Sequence, residues 1–386
     1  MKKDVVAAIE IGSSKIKVLI ARENENVEQE VPEIIGRGIA DANGVHNNNI
    51  TNAREVAKAL RRAIKQAERE SNEEIDGAFV SVGGVHTEGR ILCSKISISH
   101  NDPINEEDIM IAEKELIKRI ESQFKNDTVI FKAPVYYELD DKKTYNMPIG
   151  LVGKTLQVFY FIVTCFDQHI ETLEEVCDLA DIEVEHYFPT TVASSFVALN
   201  PKQKQAGCMI INMGWSSTST IIYENDVPIS LKAFPFGCDK IVADLAVGFR
   251  IPIEEAEEIM RKGAVTRDIP RQKTEKIIEK RLKLYFADIN KHLKEMGKEK
   301  LLPGGVVISG SCISIVEFDS VARSSLGLPA QRMIIGPKQQ IPNTSWIGIY
   351  GLARWGLEER GIGSSFSIKD FFSGIARWFK NLFPVP

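Results

Sequence analysis

The sequence has little of what disulfide-rich, metal-binding or membrane-spanning proteins require. Its 386 residues include 6 cysteines and 6 histidines, and no CxxC, HxxxH or HExxH spacing occurs. The most apolar run, residues 158–165, is far shorter than the roughly 20 residues that cross a bilayer. Acidic residues near the N-terminus break the apolar run that a signal peptide needs. Because most cysteines lie in apolar runs, we expect six buried thiols in a reducing cytoplasm, at Cys93, Cys165, Cys177, Cys208, Cys238 and Cys312.

Charge of either sign is not in large excess. Lys and Arg number 48 against 53 Asp and Glu, which gives a net charge of −5, and 44% of the residues are hydrophobic. These values exclude a disordered or coiled-coil chain and argue against a nucleic-acid partner. The length predicts two to four compact units.

Two glycine-containing hairpins stand at equivalent places in the two halves of the chain. The first covers residues 5–21 and turns at Gly12-Ser13-Ser14. The second begins at Cys208 and turns after Gly214, at Trp215-Ser216-Ser217. Because strands and helices alternate around both, we predict a duplicated α/β domain with a mixed sheet. Further strands are predicted at residues 33–39, 78–82, 90–99, 128–139, 156–166, 183–188 and 305–308, and helices at 52–69, 105–119, 168–180, 190–199, 240–249, 253–261 and 273–296.

Glycine turns between paired strands suit phosphate binding, because their backbone N–H groups and serine hydroxyls donate hydrogen bonds. Singly, such a turn is usually structural, but two turns facing each other could hold a triphosphate, and a third follows the strand before Ser309. Glu10 could hold Mg²⁺ through water, and Lys15 could neutralise β- and γ-phosphate charge. The candidate nucleotide-binding residues are Glu10, Gly12, Ser13, Ser14, Lys15, Gly214, Ser216, Ser217, Gly237, Gly310 and Ser311.

The first turn, Ile9-Glu10-Ile11-Gly12-Ser13-Ser14-Lys15-Ile16, resembles the first phosphate loop of the actin/Hsp70/sugar-kinase superfamily, and specifically of its FtsA family of bacterial cell division proteins. The stretch 78–84, Pro235-Phe236-Gly237 and Asp244-Leu245-Ala246 follow in the order of that family. The resemblance implies an actin-like fold that binds ATP with Mg²⁺. It also implies a polymer-forming membrane adaptor that holds filaments of the tubulin-like protein FtsZ and recruits other division proteins.

The resemblance further implies a division of the chain into subdomains. The first nucleotide-facing subdomain would be residues 1–82 and 166–200, and an inserted subdomain for polymer and partner contacts would be 83–165. The second nucleotide-facing subdomain would be 201–230 and 304–356. An outer helical lobe, 231–303, would bind the FtsZ C-terminal peptide, followed by a flexible linker at 357–367 and a membrane-targeting helix at 368–383.

The second phosphate loop departs from the family pattern. Asn212 stands where the family has an aspartate, Trp215 replaces a small residue, and Ser219 replaces a second acid. The usual lysine of the adenosine side corresponds to Met260, and a Gly-Gly pair becomes Gly310-Ser311. Because an acid that organises Mg²⁺ and water is missing, we expect ATP binding with little or no hydrolysis. A degenerate cleft that binds nothing stays open as the alternative.

The C-terminal segment carries an amphipathic pattern. Apolar residues recur at helical spacing opposite Lys369, Arg377 and Lys380. Four charged residues would each cost about 2.5–3.5 kcal/mol at the centre of a spanning helix, so we predict an in-plane helix on anionic inner-membrane lipids rather than a span. The alternative is a helix packed on the protein's own core. The predicted membrane residues are Ile368, Phe371, Phe372, Ile375, Trp378, Phe379, Leu382 and Phe383.

The predicted helix at residues 273–296 is strongly basic, which usually means a solvated face. The family resemblance places the FtsZ peptide site on this lobe and points to Arg281 for the peptide carboxylate, with Lys280 and Tyr285 beside it. Two rival functions remain at this point. One is an ATP-hydrolysing enzyme or kinase, which Asn212 disfavours. The other is a PilM-like scaffold of a pilus or secretion system, which needs no amphipathic C-terminal helix.

Overall fold

The computed structural model describes residues 5–24, 32–46, 48–99, 102–262, 269–312, 315, 318–335 and 341–360. The predicted membrane helix and the linker from residue 361 onward lie outside these ranges. In the described part the strands are β1 (Val5–Ile11), β2 (Lys15–Arg22), β3 (Glu33–Asp41), β4 (Val45–His46), β5 (Asn49–Ile50), β6 (Gly77–Val82), β7 (Thr87–Ser97), β8 (Asp127–Leu139), β9 (Lys142–Thr144), β10 (Thr155–Phe166), β11 (Glu183–Pro189), β12 (Cys208–Met213), β13 (Thr218–Glu224), β14 (Val227–Phe234), β15 (Gly305–Gly310) and β16 (Ala330–Arg332).

The helices lie between these strands, and seven of the ten described helices fall where the apolar periodicity predicts them. They are α1 (Ala53–Ser71), α2 (Glu106–Gln123), α3 (Asp167–Leu179), α4 (Thr190–Ala198), α5 (Pro201–Ala206), α6 (Cys238–Phe249), α7 (Ile253–Lys262), α8 (Arg271–Glu295), α9 (Phe318–Leu326) and α10 (Ile347–Glu359). A 3₁₀ turn at Thr344–Trp346 precedes α10. Since α10 continues to Glu359, the predicted linker start at residue 357 falls inside a helix.

The two halves repeat one sheet topology. The first sheet has the order β11-β6-β1-β2-β3, and the second begins β16-β15-β12-β13-β14. In both halves a hairpin and a third antiparallel strand (β1-β2-β3 and β12-β13-β14) pair in parallel with a later strand, β6 or β15. The duplication predicted from the two glycine turns is therefore present in the fold.

Helix α1 shows how the local sequence determines an element. The Asn52 side chain accepts a hydrogen bond from the Glu55 backbone N–H, which caps the N-terminus, and Asn72 ends the helix in a left-handed conformation at φ 56°. The apolar face of the helix packs on the first sheet. Gly38 of β3 makes this possible, because a Cβ there would lie 1.8 Å from the Ala63 carbonyl oxygen.

The inserted segment joins the second half rather than forming a separate sheet. Its strands β7, β10, β8 and β9 extend the second sheet to nine strands through an antiparallel pairing of β7 with β14. Ser230 pairs with Arg90 and Leu231 with Gly89. Helix α2 covers the insert and encloses a small core of its own. The sequence did not predict this pairing, and β14 itself was not predicted.

Candidate functional site

A cavity of about 510 Å³ lies between the two halves, and we call it the cleft. Both glycine turns line it. So do β15's C-terminal residues, α7 and the 3₁₀ turn before α10. Of the predicted nucleotide-binding residues, the cleft is lined by Glu10, Gly12, Ser13, Ser14, Lys15, Gly214, Ser217, Gly310 and Ser311. Ser216 and Gly237 are adjacent to it without lining it.

The two turns have the same hydrogen-bond pattern. The Gly12 N–H donates to the Lys15 carbonyl over 3.1 Å, and the Gly214 N–H donates to the Ser217 carbonyl over 2.8 Å. This equivalence aligns the strand residues behind the turns as well. Glu10 is paired across the hairpin with Lys17, and Asn212 holds the corresponding place opposite Ser219. The first half thus carries a charged pair where the second carries a neutral one.

Lys17 is a cleft cation that was absent from the predicted site. Its Nζ lies 2.8 Å from Glu10 Oε1 and also donates to the Ser345 carbonyl. The Lys17 side chain is 8% exposed and that of Glu10 is 17% exposed. Lys15, the residue we predicted for this role, lines the cleft but pairs with the exposed Asp41. The cross-strand register that places Lys17 opposite Glu10 was the available signal.

The second turn rests on the start of α6. The Cys238 and Asp239 N–H groups donate to the carbonyls of Gly214 and Trp215 over 3.1 and 2.9 Å. Only glycine fits at position 237, because a Cβ there would lie 2.2 Å from the Trp215 carbonyl oxygen. The Trp215 ring is half-buried against the core of the second half, and it also lines the cleft. Trp215 therefore packs on that core with part of its ring and forms part of the cleft wall.

The far side of the cleft is formed by β15, α7 and the 3₁₀ turn. The Ser311 N–H donates to the Met213 carbonyl over 2.8 Å, and Thr344 Oγ1 donates to the Gly310 carbonyl over 3.0 Å. Gly310 has φ +108°, a conformation that favours glycine. Met260 is buried at the cleft wall, and Arg261 lines it while pairing with Glu257. Arg261 was also absent from the predicted site.

The prediction of six buried free thiols is wrong at three positions, because Cys238 and Cys312 are bonded to each other and Cys93 is only half-buried. Cys238 and Cys312 form a disulfide that closes 74 residues and joins the start of α6 to the turn after β15. Cys93, Cys165, Cys177 and Cys208 are free. The error arose because no spacing in the sequence distinguishes a pair brought together by a crossover from isolated buried thiols. Burial raises the pKa of the Cys165, Cys177 and Cys208 thiols to about 12.

The predicted partner-binding residues on α8 occupy different environments. Lys280 is exposed. Arg281 forms a bidentate pair with Asp244, with both N–O distances 2.6 Å. Tyr285 is buried, its ring stacks on Phe236 at 4.0 Å between centroids, and its hydroxyl donates to the Gly237 carbonyl. Because the Tyr285 side chain is committed to the core beneath the second turn, it offers no surface to a peptide, and we correct that part of the prediction.

The described ranges meet the requirements of neither a metal site with three or more protein ligands nor a membrane-spanning helix. No group of three or more His, Cys, Asp or Glu side chains there could hold a metal ion. Glu10 lines the cleft, and its Oε1 accepts a hydrogen bond from Lys17 Nζ. No helix in those ranges is long and apolar enough to cross a membrane.

The sequence comparisons agree with this architecture. A family profile described as "Cell division protein FtsA" matches residues 209–345. FtsA of Pseudomonas aeruginosa is 21% identical over 94% of this chain and 92% of its own length. FtsA of Escherichia coli K12 is 20% identical over 98% and 97%, and that of Buchnera aphidicola from Schizaphis graminum is 23% identical over 99% of both. The chain is thus similar to FtsA proteins over nearly its whole length.

These matches confirm the resemblance to FtsA proteins that the sequence motifs indicate. They support an actin-like protein similar to cell division proteins. Solved structures show the same fold. A PilM–PilN type IV pilus biogenesis complex aligns with TM-score 0.66 at 14% identity, covering 91% of this chain and 98% of that one. MreB5 of Spiroplasma citri, solved with ADP, aligns with TM-score 0.52 at 9% identity, covering 92% and 97%. The predicted actin-like fold class is confirmed by these neighbours.

Proposed function

We propose that this FtsA relative is a membrane adaptor of bacterial division. It binds a nucleotide in the cleft, holds the FtsZ C-terminal peptide on its outer lobe, and attaches to the cytoplasmic face of the membrane at the division site through its C-terminal helix. The observation that carries the proposal is the alignment with FtsA proteins over nearly the whole chain, which includes the amphipathic segment. Self-assembly and recruitment of other division proteins through the insert belong to the same proposal.

The cleft supports ATP with Mg²⁺ as its ligand. Two glycine turns supply backbone and hydroxyl donors from both sides, Lys17 supplies a positive charge, and Glu10 can hold Mg²⁺ through water. The second turn has Asn212 in place of a carboxylate, which leaves one acid fewer for activating water. We therefore propose binding with slow or absent hydrolysis. An ATPase rival predicts measurable turnover that disappears in Glu10→Ala.

The outer lobe supports binding of an acidic peptide end. Arg281 lies partly exposed on α8, with the exposed Lys280 next to it in the chain. Asp244 holds the Arg281 guanidinium, so a peptide carboxylate has to share or displace that partner. Arg281→Glu is expected to abolish binding of a fluorescent FtsZ C-terminal peptide. Lys283→Glu is the matched control, because Lys283 lies on the same helix and pairs only with Glu279.

Membrane attachment is tested with the full chain and vesicles of phosphatidylglycerol and phosphatidylethanolamine. Co-sedimentation of the wild type and loss of it in Trp378→Glu would support the adaptor. Ser364→Glu adds the same charge outside the apolar stripe and is expected to pellet like the wild type. If Trp378→Glu pellets with the vesicles as well as the wild type does, the proposal is contradicted. That result would favour the rival function of a scaffold, which the similarity to the PilM–PilN complex suggests.

A further inference from the structure

One side chain bridges the two glycine turns across the cleft. Ser13 Oγ of the first turn donates to Asn48 Oδ1 over 3.1 Å, and Asn48 Nδ2 donates to the Ser216 carbonyl of the second turn over 3.1 Å. We call these two hydrogen bonds the Asn48 bridge. Ser13 and Ser216 belong to different halves, and Asn48 lies in neither turn but lines the cleft between them.

The backbone holds Asn48 in this place. Its φ is +67°, in the left-handed region that asparagine tolerates better than most residues other than glycine. The connection from β3 to α1 that carries it is fixed at both ends. The Ala42 N–H donates to the Ser14 carbonyl over 3.0 Å, and the Thr51 N–H donates to the Gly44 carbonyl over 2.8 Å. The carboxamide therefore enters the cleft from an anchored segment.

The bridge uses groups that a phosphate would need. A serine hydroxyl has one proton to donate, and Ser13 donates it to Asn48 Oδ1. That oxygen thus occupies the acceptor position that a phosphate oxygen would take between the turns. The second hydrogen bond holds the Ser216 carbonyl in the same arrangement. A ligand that binds both turns has to separate Ser13 from Asn48.

We propose that Asn48 is a positioning residue that competes with the phosphates of a nucleotide for the first turn, and so sets the cleft's affinity for polyphosphate ligands. This inference rests on the nucleotide-binding role proposed above. If the phosphates take the place of Asn48 at the first turn, a bound nucleotide also breaks the hydrogen bond between Ser13 and Asn48. The neighbouring Asn49 contacts His86 at the start of the insert, with Oδ1 3.0 Å from His86 Nε2. Binding of phosphate at the first turn would therefore change the contacts of the segment where the insert leaves the first half.

The test uses the full chain, isothermal titration calorimetry and three ligands with Mg²⁺: ATP, ADP and inorganic tripolyphosphate. Asn48→Gly keeps the left-handed backbone and removes the competitor, so affinity for ATP and tripolyphosphate should rise about two- to tenfold. Asn48→Asp keeps the acceptor, loses the donor to Ser216 and adds a negative charge. Its affinity for ATP should fall about tenfold or more, with a smaller fall for ADP.

Asn72→Gly is the matched control, because Asn72 also has a positive φ, of 56°, but lies at the far end of α1. It should leave all three affinities unchanged. A purely structural role for Asn48 predicts that Asn48→Gly weakens binding or leaves it unchanged, and either result would overturn the inference. If the wild type binds no nucleotide and Asn48→Gly does, the competitor is supported. If neither binds, the nucleotide function fails as well, and the two failures are thereby told apart.

Discussion

Lys17 Nζ lies 2.8 Å from Glu10 Oε1 on the cleft floor, where the antiparallel register of β1 and β2 places the two residues directly opposite each other. This pair stands at the position that Asn212 and Ser219 occupy in the second half. The two hairpins therefore share the same geometry, but only the hairpin of the first half carries a charged pair at this position. The asymmetry bears on both stability and ligand binding.

Removal of one member of this pair should be costly. Lys17→Met removes the charged hydrogen bond to a Glu10 carboxylate that is 17% exposed in the cleft, so we expect the free energy of unfolding to fall by about 2 kcal/mol. Lys15→Met is the control, since Lys15 pairs with the exposed Asp41 and such pairs contribute about 0–1 kcal/mol. Urea denaturation of both variants measures the difference. Equal small losses would show that the Glu10–Lys17 pair is effectively solvated.

The disulfide between Cys238 and Cys312 can be tested by counting free thiols. Purified without reductant and denatured, the chain should present four free thiols to a thiol reagent, and six after reduction. Reduction should also lower the free energy of unfolding by about 2–4 kcal/mol, because the bond closes a long loop. The double variant Cys238→Ala/Cys312→Ala should match the reduced protein and lose its response to reductant. Six thiols in the untreated protein would contradict the bond.

Lys204 predicts a pH dependence of stability. Burial lowers its pKa from 10.5 to about 7. Between pH 7 and about 8.5 the unfolded chain holds a Lys204 proton that the folded chain has released, so this lysine should make the free energy of unfolding rise with pH across that range. Above it, the buried cysteine thiols act in the opposite direction, because their pKa values are raised in the folded chain. Lys204→Met should flatten this slope, whereas Lys202→Met, at an exposed neighbouring position, should not. Denaturation at several pH values provides the measurement, and identical slopes in the wild type and Lys204→Met would refute it.

Gly237 should tolerate no side chain. Alanine there would place Cβ 2.2 Å from the Trp215 carbonyl oxygen, and backbone has to move to relieve the contact. We expect a loss of about 3 kcal/mol in unfolding free energy. Gly214→Ala is the comparison, because its Cβ meets the Ser217 carbonyl oxygen at 3.1 Å and needs a shift of only a few tenths of an ångström. In thermal unfolding, Gly237→Ala should have a much lower melting temperature than Gly214→Ala.

Much of the fold could be predicted because it depends on local patterns. Alternation of apolar residues located β1, β2, β12 and β13, and the 3.6-residue period located α1. The repeated glycine turns revealed the duplication. In the cleft the same turns identified Gly12 and Gly214. These features are encoded within a few residues of one another.

The remaining features depend on contacts between distant segments. Lys17 rather than Lys15 reaches Glu10 because of the hairpin register, and its second partner Ser345 is 328 residues away. Asn48 joins turns that are remote in sequence, and the pairing of β7 with β14 follows from how the insert folds back. The family resemblance placed Tyr285 beside Arg281 at a peptide site, yet its position under the second turn buries it.

The pairing of β7 with β14 also has a mechanical consequence. The insert is covalently continuous with the first half, through β6 before it and α3 after it, while its hydrogen-bond ladder belongs to the second half. A hinge motion that opened the cleft would shear the short ladder between residues 88–90 and 230–232. Tension applied to the insert would be transmitted to both halves at once. The insert is thus a strut between the two halves, joined to the first by the chain and to the second by the sheet.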